Sequence, residues 1–373
     1  MAFYFAIAAA AALLMYAAER CEAHGNKAFA LILYFGIALL FSHFAGARAI
    51  TVGTDTAGYA LNSYYAIKYN GIDYFWCSSE YADFFSPLFK ALCIISVSLA
   101  HTFYGYLFAI ELLTVIPVIL ACRKMLGRWS WMGILVFSVL FYPMSFNMMR
   151  QMIAMGFLLL AFIEASERKP ASYCVYTVVA CLFHSSSIVG LLIYPLVAFA
   201  RGGGRQGGFK LAFVCMAGMV FVLLAPSVIK YLPGDHYQNY LSGEHAISGG
   251  LRMPAMTAVL TMSLAAFGLI FIRKRKLSAV QSELLIEMAV VVIFGVVCLM
   301  LSLFSFYLYR IGFFFLYVSI LLLPLLCSSI NDRNSGLFMA AIVIIFICAW
   351  AFDYYAIQSS HGVIPYTLSA NYM

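Results

Sequence analysis

Long runs of apolar residues recur along almost the whole chain and are separated by short polar stretches. About twelve of these runs approach the roughly 20 residues that a helix needs to cross the hydrocarbon core of a bilayer. The runs are continuously apolar, whereas the strands of a membrane β-barrel alternate between apolar and polar residues. The pattern predicts an all-α, polytopic helical bundle that forms one integral membrane domain over residues 1–373. We place the spans at about 2–18, 28–46, 103–121, 130–147, 150–165, 171–186, 187–200, 209–229, 253–272, 283–303, 310–328 and 335–352.

A further apolar run, Ser86–Ala100, is shorter than the others. We predict a re-entrant helix here, because a thirteenth crossing would disrupt the separation of charge between the two sides of the membrane. The polar stretches at residues 47–85 and 230–252 are much longer than the remaining connections. They are predicted to be the two large loops on the outer side of the membrane.

The distribution of Lys and Arg predicts the orientation of the chain. With twelve crossings, most of the 22 Lys and Arg residues fall in alternate short loops, and cations concentrate in cytoplasmic loops of membrane proteins. The two large loops and both termini are then on the outer side. That side holds only seven cations, which are Arg48, Lys68, Lys90, Arg150, Lys230, Arg252 and Arg310.

The composition excludes several classes of protein. Hydrophobic residues make up 65% of the chain and charged residues 10%, whereas a soluble domain is roughly half apolar and about a quarter charged. The net charge of +7 is of the kind that basic cytoplasmic loops supply, so we predict no nucleic-acid partner. The chain contains no CxxC pair, P-loop or HExxH motif, and we predict neither a metal ion nor a cofactor.

The outer arginines are the first candidates for a binding site. Arg150 and Arg310 each begin a helix that is predicted to run inward, where a cation opposes the helix dipole by about 0.3–1 kcal/mol. A bound anion would explain both positions. The alternative is that these side chains extend to lipid phosphates or pair with an acid. Arg252, in the second large loop, and Arg48, at the end of a span, are further candidates for the same anion.

The beginning of the first large loop offers groups that can bind sugars and move protons. Thr54, Asp55 and Tyr59 can form hydrogen bonds with sugar hydroxyls, and the carboxylate of Asp55 can act as a general base. The alternative is that Asp55 caps a helix. His184, near the outer end of its span, is a reserve candidate for proton transfer or phosphate binding; its alternative role is favourable placement at a helix C-terminus.

Glu111 lies in the middle of a predicted span, where an acidic residue is a functional candidate by default. It would line a proton path if the protein were a transporter. The other interpretation is a structural ion pair with Arg150 or Arg310 inside the bundle.

Five short motifs follow one another in the order seen in one bacterial family. They are Arg48…Val52-Gly53-Thr54-Asp55-Thr56…Tyr59, Ser86-Pro87-Leu88-Phe89, Arg150-Gln151-Met152-Ile153-Ala154, Phe183-His184-Ser185-Ser186-Ser187 and Tyr309-Arg310. Over about residues 45–330, this pattern resembles the EpsG/Wzy-like polysaccharide polymerases. One departure is Ser86 before Pro87, where relatives often carry an acidic residue.

The resemblance implies a glycosyltransferase in the bacterial inner membrane, with a fold similar to the GT-C class. Such enzymes join oligosaccharide repeat units carried on undecaprenyl diphosphate at the periplasmic face, and a chain-length regulator is their usual partner. For this reaction, the outer arginines Arg150, Arg310, Arg252 and Arg48 are the predicted ligands of the diphosphate, and Asp55 is the predicted base, with His184 in reserve. Thr54, Tyr59, Gln151 and Tyr309 would contact the sugars. The competing class is a flippase of lipid-linked oligosaccharides, which would hold the diphosphate with the same arginines.

Overall fold

The computed structural model describes residues 1–78, 85–201, 207–229, 279–304, 308–330 and 332–369. In these ranges the regular structure is helical, apart from an isolated antiparallel bridge between Arg48 and Leu368. The all-α fold predicted from the apolar runs is therefore confirmed. The predicted loop at residues 230–252 and the predicted span at 253–272 lie outside the described residues.

The helices fall into two compact units. The first unit comprises Met1–Leu160, Val175–Ile188 and Phe338–Met373, and the second comprises Ala161–Cys174 and Val189–Leu337. The longer helices are α1 (Ala2–Ala23), α2 (Lys27–Ala47), α3 (Pro87–Ala100), α4 (Phe103–Leu126), α5 (Ser130–Leu140), α6 (Met149–Ser166), α7 (Pro170–Phe183), α8 (Ile193–Ala200), α9 (Gly207–Ile229), α10 (Ala279–Cys298), α11 (Arg310–Leu316), α12 (Ser319–Ser328) and α13 (Arg333–Ala351). Short helical segments at Thr56–Ala60, Leu61–Tyr65, Ala66–Asn70 and Ile72–Cys77 fill much of the predicted first large loop.

Seven segments of the described chain are long and apolar enough to cross a membrane. They are Ala2–Ala23, Lys27–Ala47, Phe103–Leu140, Met149–Ser166, Val280–Leu303, Arg310–Ser328 and Arg333–Ile357. The predicted total of twelve crossings is not confirmed, because several of the predicted spans form shorter apolar helices, among them α7, with 14 residues, and the segment Ser185–Ala200. A helix of 14 residues is about 21 Å long, whereas the hydrocarbon core is about 30 Å thick.

Contacts at both ends of α1, α2 and α4 show how the first unit is arranged. At one end, the carboxylate of Glu22 accepts hydrogen bonds from Tyr34 of α2, at 2.8 Å, and from Arg123 of α4. At the other end, Phe3 of α1 packs edge-on against Phe44 of α2, with ring centroids 5.1 Å apart. Helix α2 is therefore antiparallel to both α1 and α4. We call these the Glu22 end and the Arg48 end.

The two ends differ in charge. Five cations lie at the Glu22 end, in the last turns of α1 and α4, at the start of α2 and in the turn after α4. They are Arg20, Lys27, Arg123, Lys124 and Arg128. All of them were assigned to cytoplasmic loops by the sequence. The polar turn that contains Asp55 follows α2 and therefore lies at the Arg48 end.

The second unit is organised around α10, which packs against α8, α9, α11 and α12. Its crossing with α11 depends on two glycines. A Cβ atom on Gly312 would lie 2.7 Å from the carbonyl oxygen of Gly295, and one on Gly295 would lie 2.8 Å from Cβ of Phe315. Helices α10 and α11 approach closely because no side chain separates their backbones at these glycines. At another position on α10, buried Glu287 accepts a hydrogen bond of 2.9 Å from Arg201.

We expect Gly312→Ala to destabilise the protein by about 1–3 kcal/mol, because the added methyl group overlaps the backbone of α10. Gly36→Ala is the matched control, since Gly36 lies within α2 and a Cβ atom there meets nothing within 4 Å. That change should be neutral or stabilising by up to about 1 kcal/mol through helix propensity. Thermal unfolding in detergent measures both. Equal melting temperatures for the two variants would contradict the close crossing.

Candidate functional site

The chain leaves α2 at Arg48 and enters a tight turn at Gly53, directly before the predicted site residues. Gly53 has a φ of +87°, which L-residues with side chains rarely adopt. A Cβ atom there would also lie 2.9 Å from the carbonyl oxygen of Phe146. The N–H of Gly53 donates to the carbonyl of Gly362 at 2.9 Å. Glycine is thus required both for the turn and for the close approach of the chain segment that precedes α6.

Asn147 ties this turn to two other parts of the chain. Its Oδ1 accepts hydrogen bonds from the hydroxyl of Thr54 at 2.8 Å and from the backbone N–H of Asp55 at 3.0 Å. Its Nδ2 donates to the carbonyl of His361 at 2.7 Å. The side chain is 1% exposed. Asn147 was not among the residues predicted from the sequence.

Asp55 is half-buried and precedes the short helical segment Thr56–Ala60. Its carboxylate makes no capping hydrogen bond to that segment. The structure therefore does not support the alternative that Asp55 serves as a helix cap. Neighbouring Thr54 is exposed as a residue, although its hydroxyl donates to buried Asn147.

Arg150 is the second residue of α6, which confirms that it begins a helix. Its guanidinium group lies against two aromatic rings, 5.3 Å from the centroid of Tyr59 and 5.0 Å from that of Phe85. The two rings are themselves 5.6 Å apart. Tyr59 is four residues beyond Asp55, across a kink at Gly58, and Asn147, three residues before Arg150, accepts a hydrogen bond from the N–H of Asp55. These contacts place the predicted cation close to the turn that carries the predicted base. Arg150 and Tyr59 are half-buried.

Arg48 has a different environment from the one expected for a diphosphate ligand. It is 3% exposed and donates hydrogen bonds to the carbonyl of Ala45, at 2.5 Å, and to the hydroxyl of Thr56, at 3.1 Å. Its guanidinium carbon lies 4.3 Å from the ring centroid of Phe146. These contacts direct the positive charge into the protein, where it supports the turn.

Glu111 also differs from its predicted structural role. It was expected to pair with Arg150 or Arg310, but the hydrogen-bond partner of its carboxylate is Ser145, at 2.8 Å. The residue is 2% exposed, and its other carboxylate oxygen is buried with no hydrogen-bond partner among the described residues. Arg48 and Glu111 are thus both buried in the first unit, with no hydrogen bond between them.

Gln151 and His184 belong to the same unit as this cluster. Gln151 is next to Arg150 on α6 and is 5% exposed. His184 is half-buried where α7 gives way to a 3₁₀ segment, and its carbonyl accepts hydrogen bonds from the N–H and the hydroxyl of Ser187. The preceding residue, Phe183, stacks on Phe157 with centroids 5.6 Å apart. Phe157 is two turns, or about 10 Å, along α6 from Arg150.

Three predicted site residues lie elsewhere in the chain. Arg310 is half-buried as the first residue of α11, and Tyr309 directly before it is 4% exposed. Both belong to the second unit. Arg252 lies outside the described residues. In the described ranges, no group of three or more His, Cys, Asp or Glu residues is placed to hold a metal ion.

The C-terminal segment, residues 358–369, was not predicted to take part in the site. The N–H of Ala49 donates to the carbonyl of Thr367 at 2.8 Å, and the N–H of Ser369 donates to the carbonyl of Ala47 at 2.9 Å. Burial raises the pKa of Tyr366 to about 12, so its hydroxyl stays protonated near neutral pH and donates to the carbonyl of Phe44 at 2.8 Å. The segment thus covers the end of α2 where the polar turn begins.

The fold and this polar cluster define an all-α, polytopic membrane protein with a cation and a carboxylate near one end of its first unit. The model of the EpsG family matches residues 28–368, so the chain belongs to that family. The family is associated with glycosyltransferase-like polysaccharide polymerases. No curated protein and no solved structure matches the chain.

We expect Arg48→Met to lower stability by about 1–3 kcal/mol, because the buried carbonyl of Ala45 and hydroxyl of Thr56 lose their hydrogen-bond donor. Glu111→Gln keeps an acceptor for Ser145 and should cost less. The double variant Arg48→Met/Glu111→Gln tests whether the two buried side chains also interact. Unfolding in detergent of all four proteins forms a double-mutant cycle. Additive effects would show that the two charges do not interact.

Proposed function

We propose that the protein is a glycosyltransferase that polymerises oligosaccharide repeat units carried on undecaprenyl diphosphate. The growing chain is transferred from its lipid diphosphate to a non-reducing-end hydroxyl of an incoming lipid-linked unit. The product is an O-antigen, capsule or exopolysaccharide. One observation carries this proposal: Arg150 lies against Tyr59 and Phe85, and Asn147, three residues before it, accepts a hydrogen bond from the N–H of Asp55.

Arg150 supplies the positive charge that the leaving group requires. As the bond between the anomeric carbon and the diphosphate oxygen breaks, negative charge develops on that oxygen. A positioned guanidinium stabilises this charge, and it does so more strongly in a site that excludes water. The planar fork of an arginine also matches the geometry of phosphate oxygens. The two rings beside Arg150 favour one orientation of the fork by cation–π attraction.

Asp55 supplies the base for the other half of the reaction. Its carboxylate accepts the proton of the acceptor hydroxyl while the acceptor oxygen bonds to the anomeric carbon. Undecaprenyl diphosphate leaves in the same step from the opposite face of the sugar, so the configuration at that carbon is inverted. Thr54, Tyr59 and Gln151 contact the sugars in this proposal, and His184 is the reserve base.

The remaining predicted residues are not part of this cluster. Tyr309 and Arg310 belong to the second unit, and Arg252 lies outside the described residues, so their contacts with the diphosphate and the sugars stay predictions from the sequence. Arg48 is reassigned, because its guanidinium is buried; it supports the turn and does not meet the substrate.

The distribution of charge along the first unit supports a periplasmic site in the inner membrane. The cations assigned to the cytoplasm gather at the Glu22 end, whereas the Asp55 turn follows α2 at the Arg48 end. Cations accumulate on the cytoplasmic side of membrane proteins. The proposed orientation therefore places the site on the side where lipid-linked repeat units are polymerised.

We expect Arg150→Ala to reduce polymerisation about 10²–10³-fold, because the charge on the leaving group is no longer stabilised. Asp55→Asn should reduce it about 10²–10⁴-fold through loss of the base. The measurement uses purified protein with undecaprenyl-diphosphate repeat units and follows the ladder of lengthened products on a gel.

Two variants serve as matched controls for this experiment. Arg333→Ala removes an exposed cation from the first position of α13, and Asp73→Asn neutralises an exposed acid in the same large loop as Asp55. Both controls should form the ladder as the wild-type protein does. A ladder that survives Arg150→Ala and Asp55→Asn would move the site elsewhere. No ladder from folded wild-type protein with its native repeat unit would favour the flippase.

Tyr59 allows the contribution of its ring to be separated from that of its hydroxyl. If the ring positions Arg150, Tyr59→Phe should retain activity, while Tyr59→Leu should lose about tenfold, equivalent to about 1–2 kcal/mol of cation–π attraction. Tyr69→Leu is the control, because Tyr69 is 70% exposed in the same loop. Initial rates of ladder formation give the comparison. A similar loss in Tyr59→Phe and Tyr59→Leu would instead assign the hydroxyl to sugar binding.

A further inference from the structure

We infer that Asn147 is a positioning residue for the reaction and that the C-terminal segment, residues 358–369, is part of the scaffold of the site. This inference rests on the proposed function of the Asp55 turn. It concerns residues that contact neither the leaving group nor the acceptor. They act by holding Asp55 in place relative to Arg150.

The side chain of Asn147 uses both ends of its amide. The oxygen accepts from the Thr54 hydroxyl and the Asp55 N–H, and the nitrogen donates to the carbonyl of His361. An aspartate here would keep the acceptor and lose the donor. An alanine would leave all three partners without this contact, and a buried polar group that loses its partner costs about 1–3 kcal/mol. The chemistry of the contacts therefore specifies an amide at this position.

The carbonyl that Asn147 binds is itself held in place by other contacts of the C-terminal segment. The carbonyl of Gly362 accepts from the N–H of Gly53, and the carbonyl of Val363 accepts from the hydroxyl of Tyr4 at 2.8 Å. A Cβ atom on Gly362 would lie 3.4 Å from Cγ2 of Thr54. The C-terminal segment therefore contacts the turn directly, through Gly53 and Gly362, and through the side chain of Asn147.

The position of Asn147 in the chain explains why its effect should fall on the chemical step. It lies three residues before Arg150, at the entrance to α6, while its oxygen holds the N–H of Asp55. One side chain thereby fixes the separation between the proposed base and the proposed cation. A displacement of about 1 Å between reacting groups lowers a rate by about 10²-fold. Binding of the long lipid and sugar parts of the substrates depends on many other contacts.

The first test separates positioning from binding through kcat and KM. We expect Asn147→Ala to lower kcat about 10²-fold, with KM changed by less than about threefold. Asn147→Asp should recover only part of this loss, because it keeps the acceptor for Thr54 and Asp55 but places a buried carboxylate oxygen against the carbonyl of His361. Asn62→Ala is the control, since Asn62 is exposed in the same loop; it should match the wild type. An unchanged kcat in Asn147→Ala, or a change in KM alone, would overturn the inference.

The second test measures how firmly the turn is held and does not depend on enzymatic activity. Hydrogen exchange is followed in the peptide that contains the amides of Gly53 and Asp55, in the full-length protein in detergent. Asn147→Ala should speed exchange of this peptide most, whereas Asn147→Asp should leave part of its protection. Thr54→Val removes one of the two hydrogen bonds to Oδ1 of Asn147 and should speed exchange moderately. This variant provides the test if Asn147→Ala does not fold.

The two tests distinguish failure of this inference from failure of the proposed function. A wild-type protein that does not polymerise refutes the function, while exchange still decides whether Asn147 holds the turn. A wild-type protein that polymerises, with unaltered exchange and kcat in the Asn147 and Thr54 variants, refutes the positioning role and leaves the polymerase in place.

Discussion

Where a chain turns at the end of a membrane helix, its free backbone N–H and C=O groups need hydrogen-bond partners within the protein. The candidate site depends on the hydrogen bonds that this turn makes. Backbone N–H and C=O groups near hydrocarbon cannot rely on water. Here the C-terminal segment pairs with the backbone at both Ala47 and Ala49, and again at Gly53. Arg48 is buried beneath the turn, where it donates to the carbonyl of Ala45 and to the hydroxyl of Thr56.

This arrangement separates the residues that form the scaffold from those that face outward. Arg48, Thr56 and Asn147 are buried and engaged with neighbouring groups. Thr54 is exposed, and Asp55 is half-buried. A site needs reactive groups whose positions are fixed by packed neighbours, since rigid placement reduces the reorganisation required during the reaction. The buried polar contacts are thus what a catalytic turn at a membrane surface requires.

The sequence predicted much of this architecture because its strongest signals are local. Continuous apolar runs predict membrane helices, and the apolar run that follows Arg150 predicts a helix that begins there. The total of twelve spans could not be settled in this way, because apolar runs also form shorter helices such as Pro170–Phe183. The inward orientation of Arg48 was missed for a related reason: residue type gives no direction to a side chain that can face lipid, water or a buried acid.

The residues that hold the site together could not be found from local patterns. Asn147 lies 92 positions from Asp55 and 214 from His361 along the chain, so their contacts exist only in the folded protein. The sole local signal is an amide in an apolar stretch three residues before Arg150. The C-terminal segment gives even less indication, because most of its contacts with the turn use backbone groups that every residue possesses.

The central claim is that Arg150 in the Asp55 cluster binds the diphosphate of the lipid-linked substrate. The most direct measurement is a cryo-electron microscopy structure of the protein in a lipid nanodisc with undecaprenyl diphosphate, compared with the Arg150→Ala variant. The account predicts phosphate density against the guanidinium of Arg150, beside Tyr59 and near the carboxylate of Asp55, and no such density in the variant. Diphosphate bound elsewhere in the wild-type protein, with no contact to Arg150, would contradict it.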